Sequence, residues 1–239
     1  MSSSRRLFLL NAGLIPAALS TTALSTPAVA SPVRVETDSP RFTVAVIPDT
    51  QYLYDRDRGD AAPLEASLRY IVDTAREHNT VFVAHLGDMT ENGLASEFTS
   101  ISRTFRILDR FPYSVLAGNH DIDASKDDQR GPSPYLDTFG PARFRDSPTF
   151  RDATRDGYNS YHVFRAAGRE WVVLALDWRP SAGSIAWVRD VLRKHPRSPV
   201  ILTTHEFVHA DGGDGNAVCC PTSASGCGTT WSRTMIRSS

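Results

Sequence analysis

The chain has 239 residues, a formal net charge of −1 at pH 7 and 41% hydrophobic residues. That length, less a leader, suits one α/β domain able to bury a substantial core without staples. The near-zero charge removes any global electrostatic case for nucleic acid or an anionic membrane.

Residues 1–30 read as a twin-arginine export signal. Arg5-Arg6 precedes an apolar stretch from Leu7 to Leu19, and Ala28-Val29-Ala30 before Ser31 forms an A-x-A cleavage site. The expected location is therefore secreted or extracytoplasmic. An ordinary secretory signal that contains two arginines is the alternative. No stretch after the leader is long and apolar enough to span a bilayer. Residues 31–41 are polar and contain proline, as a linker does.

Phe42–Ile47 is an apolar run without alternation, the pattern of a buried parallel strand. Pro48 stops it and Asp49 opens a charged loop from Tyr52 to Pro63. Leu64, Leu68, Ile71, Val72 and Ala75 recur at helical spacing, which predicts an amphipathic helix over Leu64–Glu77. Val81–Leu86 is the next strand, ending at Gly87-Asp88. Leu94–Leu108 is predicted helical, with Phe98, Ile101, Phe105 and Leu108 on one face. Tyr113–Ala117 is a third strand, leading into Gly118-Asn119-His120-Asp121. Crossovers of this length join parallel neighbours.

Ile122–Tyr158, rich in Pro, Gly, Asp and Arg, reads as a long loop or cap with short helical pieces at most. Tyr158–Phe164 and Glu170–Leu176 form a hairpin around Ala166-Ala167-Gly168-Arg169, so the sheet becomes mixed. Ser184–His195 is a helix, and Val200–Thr204 is a final strand ending at His205. Residues 212–228 carry Gly, Ser and Cys without a period, and no strand or helix is expected there. Cys219, Cys220 and Cys227 have no histidine at finger spacing, so a structural zinc is not expected.

Four apolar runs thus end in residues able to hold a hard cation. Ile47-Pro48-Asp49-Thr50-Gln51, Leu86-Gly87-Asp88-Met89, Gly118-Asn119-His120-Asp121 and Thr203-Thr204-His205-Glu206 share this design. Each residue alone has a plainer reading: Asp49 or Asp88 as a cap, Asn119 as a turn residue, His205 as a hydrogen-bonded core histidine. Parallel strand ends converge on one sheet edge, which favours a shared site. Asp49, Gln51, Asp88, Asn119 and His205 offer oxygen and imidazole donors and no thiolate. That set suits two divalent ions of Mn, Fe or Zn with open positions. A carboxylate shared between two such ions holds them about 3.5–4 Å apart.

On these motifs, the chain from Phe42 to Asp211 resembles the calcineurin-like metallophosphoesterase family. Gly87-Asp88 and Gly118-Asn119-His120-Asp121 carry the resemblance. It implies an α/β fold with a β-sandwich core flanked by helices, and hydrolysis of phosphate mono- or diesters by a two-metal-activated hydroxide. The implied partner is a small phosphoester substrate. By the same resemblance Asp49 binds the first metal, Asp88 bridges both, and Asn119 and His205 bind the second. His120 is the implied general acid near the leaving oxygen, with Asp121 orienting it.

Two departures stand out. The family's D-x-H motif here reads Asp49-Thr50-Gln51, which resembles a secreted bacterial branch with Pro-Asp-Thr-Gln at this place. No Gly-His-x-His follows His205; His209 lacks the glycine. The resemblance is thus C-terminally incomplete, and residues 212–239 read as an irregular tail, with a reading-frame shift near Gly215 as one explanation. A metal-poor remnant of the same fold, acting as a binding domain, is the second reading. A metal-free nucleotide-binding domain is the third; no G-x-G-x-x-G follows the first strand. Tyr52, Tyr54, Tyr135 and Trp178 line a substrate wall or pack the core.

Overall fold

A computed structural model describes residues 36–122, 131–205, 209–210 and 218–219. The leader, residues 31–35 of the predicted linker and most of the tail lie outside the described residues. Among the described residues no helix is long and apolar enough to cross a membrane.

The sheet read as one from the chain order is two sheets, the sandwich core that the resemblance implies. Strands β1 (Thr43–Ile47), β2 (Thr80–His85) and β3 (Tyr113–Ser114) form a parallel sheet in that order. The second sheet has the order β4 (Phe150–Ala153), β5 (Ser160–Ala166), β6 (Arg169–Leu176), β7 (Val200–Thr204). Its first three strands are antiparallel, and β6 and β7 run parallel. Helices α1 (Ala62–Asp73) and α2 (Ala95–Phe105) follow β1 and β2, a short α3 spans Pro134–Phe139, and α4 (Ala182–Lys194) joins β6 to β7.

Alternation along β2 and β6 explains the layering. Phe82 and Ala84 face one cluster with Phe164, Ala166 and Val173, so the two sheets pack face to face across it. Val83, on the other side of β2, joins Leu64, Leu68, Phe98 and Phe105 of the first two helices. Val172, Leu174 and Leu176 of β6 turn away from the first sheet onto Val188 and Val191 of α4. The result is helices, sheet, sheet, helix. Both faces of β2 and of the C-terminal half of β6 are covered, which is why those stretches read as continuous apolar runs. Phe82 is fully buried and stacks on Phe164 with ring centroids 5.6 Å apart. Truncating such a side chain to alanine costs about 3–5 kcal/mol.

Several predicted boundaries shift. The third strand pairs only over Tyr113–Ser114; Val115, Leu116 and Ala117 are buried but carry no ladder, and Trp178 N–H instead donates to Ala117 O at 3.0 Å. Helix α1 stops at Asp73, and the backbone then turns through Asn79 at φ +45°. The Asn79 side chain bonds Glu36 O and Arg41 O at 3.1 and 2.8 Å, tying down the end of the linker. Within the predicted loop over 122–158 the chain forms α3 and strand β4. Strand β4 escaped the pattern because its pairing with β5 shifts register between Phe150 and Asp152. Val218–Cys219 (β9) pairs with His209–Ala210 (β8), where no strand was expected. A two-residue ladder is too short to have a readable period.

The hairpin between β5 and β6 forms as expected. Ala167 and Gly168 both take positive φ, +50° and +70°, the two-residue turn that matches strand twist. Tyr54 and Tyr135 are buried in the helix-side core and serve packing, whereas Tyr52 is 72% exposed.

Candidate metal centre

The C-terminal ends of β1, β2 and β3 share one edge because the strands are parallel. Pro48 has no N–H to continue the ladder, so β1 stops and Asp49 begins the loop. Asp49 Oδ1 accepts the Gln51 N–H at 2.9 Å and starts a 3-10 turn over Gln51–Tyr54. Burial raises the Asp49 carboxyl above its ordinary range, the Gln51 N–H works against that, and the Asp88 charge adds to the rise. Gln51 is buried, and its Oε1 is an acceptor with no hydrogen-bond partner.

Asp88 is the hub. Gly87 and Asp88 both adopt positive φ, +88° and +49°. Glycine does so freely, but an aspartate held there stores about 1–3 kcal/mol of strain, a feature that clusters at functional sites. The Thr50 N–H donates to Asp88 O at 3.0 Å, fastening the first loop to the second. Asp88 Oδ1 accepts the His120 N–H at 2.9 Å, fastening the second to the third. Gly118 is required by this approach: a Cβ there would lie 2.1 Å from Asp88 Oδ1 and 2.4 Å from Asp88 N. Asn119 lies between these two contacts and is half-buried.

His205, at the end of β7, crosses from the second sheet. Its Nδ1 donates to Leu86 O at 2.9 Å, which turns Nε2 toward Asp88 Oδ2 at 3.1 Å. Burial opposes its charge, but the Asp88 carboxylate outweighs this and holds the imidazole up at about 9. Thr204 Oγ1 donates to Asp177 O at 3.0 Å and steadies the strand end.

His120 Nδ1 donates to the backbone carbonyl of Glu91 at 2.8 Å, which leaves Nε2 as the nitrogen available to a substrate. The expectation that Asp121 orients His120 is corrected here. Asp121 is fully buried; its Oδ1 accepts Met89 N–H, Thr90 N–H and Thr90 Oγ1, at 2.8, 3.0 and 3.2 Å, and its Oδ2 accepts Gly118 N–H at 2.9 Å. Both oxygens point at backbone donors of the two loops, so Asp121 splices the loops and Glu91 holds the imidazole. Burial pushes the Asp121 carboxyl up to about 7, against the pull of the Gly118 and Met89 N–H donors, with the Asp88 charge adding to the rise and Thr90 N–H lowering it.

Sequence reasoning also passed over His85. It is fully buried, its Nδ1 accepts Gly87 N–H at 3.2 Å, and its Nε2 faces Thr50 Oγ1 at 3.0 Å. Thr50 Oγ1 in turn donates to Met89 O at 3.3 Å. Burial lowers His85 to about 3, with the His205 charge adding to it and the Asp88 charge opposing. His85 is thus a neutral brace under the loops. Asn92-Gly93 is a turn pair, the one local signal that could have placed Glu91 in a tight loop and not on a helix.

Asp88, His205 and the His120 backbone are therefore in direct contact, and Asp49 senses the charges of Asp88, His205 and His120. Among the described residues no three His, Cys, Asp or Glu side chains form a group able to hold a metal ion by themselves. The amides of Gln51 and Asn119 would have to contribute. The donor chemistry fits a hard divalent cation, because the orphaned Gln51 Oε1 and the mutually repelling Asp49 and Asp88 carboxylates are what a cation satisfies. Two open surface cavities, about 620 Å³ beside Arg41 and Arg76 and about 560 Å³ beside Ser181 and Trp187, contain none of these donors.

The family model described as Calcineurin-like phosphoesterase matches residues 42–237. A Bacillus subtilis (strain 168) protein named "Uncharacterized protein YvnB" is 27% identical over 176 residues, covering 72% of this chain and 13% of that protein. The chain thus spans well under two thirds of the length of the curated relative it matches. The family match extends past the predicted boundary at Asp211 into the tail. The chain belongs to the calcineurin-like phosphoesterase family, whose general chemistry is metal-dependent hydrolysis of phosphoester bonds.

Proposed function

We propose that this chain hydrolyses phosphate mono- or diesters with divalent metal ions held by Asp49, Gln51, Asp88, Asn119 and His205. The observation that carries the reading is the Asp88 carboxylate, which meets His205 from one sheet and the His120 loop from the other. Bound divalent ions would supply Lewis acidity toward the phosphoryl oxygens and an activated water. The chain's own part is proton delivery. As the water oxygen bonds to phosphorus and the bond to the leaving oxygen breaks, His120 Nε2 gives its proton to that oxygen, while Nδ1 keeps its own proton in the hydrogen bond to Glu91 O. Metal content of the purified protein and turnover of nitrophenyl phosphate mono- and diesters test this; two ions with turnover lost in Asp88→Asn support it, and a metal-free inert protein rejects it.

A second reading is favoured by one observation. His205 Nε2 and Asp88 Oδ2, both wanted as ligands, lie against one another at 3.1 Å. A metal-poor binding domain of the same fold would keep that ion pair. Such a protein would take up no Mn²⁺ in a calorimetric titration.

The N-terminal motif supports export by the twin-arginine route, with cleavage before Ser31. Replacing both arginines, Arg5→Lys with Arg6→Lys, should retain the precursor inside the cell. Normal export of that variant would reject the route.

A further inference from the structure

We propose that Glu97 is a positioning residue for this reaction, acting on His120 through the Glu91 carbonyl; the inference rests on the proton-donor role given to His120 above. Glu97 occupies the first turn of α2, where a glutamate ordinarily sits half in solvent and reaches back to the helix's own first N–H. Here it is 3% exposed and accepts four N–H groups. Oε2 takes Leu94 N–H at 3.2 Å, the ordinary cap, and also Asn92 N–H at 3.0 Å. Oε1 takes the Asn92 Nδ2 amide at 2.9 Å and Arg56 N–H at 3.0 Å. A cap alone explains one of these bonds. The other three come from the two loops that border the candidate centre.

The geometry connects this carboxylate to the imidazole in two steps. Asn92 follows Glu91, so two Glu97 bonds to Asn92 fix the peptide whose carbonyl receives His120 Nδ1–H at 2.8 Å. Gly93, at φ +65°, lies against the same segment; a Cβ there would be 3.1 Å from His120 O and 3.2 Å from Asp121 O. The loop is thus pressed onto the His120 backbone and pinned from behind by Glu97. A carboxylate suits the place because it only accepts, and all four partners donate. Glutamine would turn a donor toward at least one of these N–H groups.

Leaving-group dependence tests this. A nitrophenyl ester departs with little help from an acid, whereas an alkyl ester needs its oxygen protonated. The readout is the ratio of kcat on a nitrophenyl phosphate ester to kcat on the matching alkyl phosphate ester, in the metal-loaded full chain. Loss of fold or of metal lowers both rates together, whereas a mispositioned proton donor raises the ratio. We expect Glu97→Gln to raise it about tenfold and Asn92→Ser about threefold, fractions of the general-acid contribution. Asn92 is exposed, so its variant keeps the test open if Glu97→Gln fails to fold. A raised ratio in His120→Ala with an unchanged ratio in the Glu97 and Asn92 variants overturns this inference alone. An unchanged ratio in His120→Ala overturns the role of His120, and the inference with it.

Discussion

Asp88 Oδ2 lies 3.1 Å from His205 Nε2, and this contact joins the two sheets at their shared edge. Asp88→Asn keeps the shape and removes the charge. Metal content should fall, and turnover should drop by about 10² or more, since charge stabilisation at such sites is worth several kcal/mol. Elemental analysis beside an ester assay checks both. Full metal content with full activity would remove Asp88 from the centre.

Gly118→Ala should be as damaging as losing a ligand. The added Cβ would stand 2.4 Å from Asp88 N, a backbone atom that has nowhere to go. Asp88 would be displaced, with metal affinity reduced at least tenfold on the scale of perturbed supporting contacts. Calorimetric titration with Mn²⁺ measures this, and wild-type affinity in the variant would contradict the geometry.

Asp121→Ala should act mainly on stability. It leaves the N–H groups of Gly118, Met89 and Thr90 without their acceptor inside the core. A loss of about 3–5 kcal/mol is expected, at the upper end for single substitutions. Urea unfolding checks it; an unshifted midpoint would return Asp121 to a purely catalytic role.

The pH dependence of stability should carry a signature of His162. This ring is fully buried among Phe82, Phe144 and Phe150, and burial lowers it to about 3, with the Arg151 charge adding to it. An unfolded histidine titrates near ~6.5. Between those two values the unfolded chain binds one more proton than the folded one. The stabilisation is therefore present above pH ~6.5 and falls with decreasing pH, by about 1.4 kcal/mol per pH unit. His162→Phe should flatten that slope in urea midpoints measured from pH ~7 down to ~5. Equal slopes in both proteins would contradict a buried neutral His162.

Much of this was legible in the chain. Strands β2 and β7 are built on the apolar runs Val81–Ala84 and Val200–Leu202 and formed within a residue of expectation. Helix α2, with Phe98, Ile101 and Phe105 at helical spacing, began within one residue of it but ended three residues early, at Phe105. Asp49, Gln51, Asp88, Asn119 and His205 stand out as candidates in the sequence because each follows an apolar run. Tyr113–Ala117 was over-read because burial, and not pairing, makes Val115–Ala117 apolar. What stayed hidden was tertiary in origin. Nothing local distinguishes Glu97 from an exposed first-turn glutamate, and nothing local says that His120 turns to Glu91 O while Asp121 turns to Met89 and Thr90. Those partners are set by how three loops stack, a relation between distant segments with no period of its own.

Chelator treatment followed by a nitrophenyl phosphate ester assay decides whether catalysis runs on metal held at Asp88. Turnover should disappear with the metal and return when Mn²⁺ is restored to the wild type, but not to Asp88→Asn. Turnover that survives chelation, or none under any metal, would contradict that role for the metal.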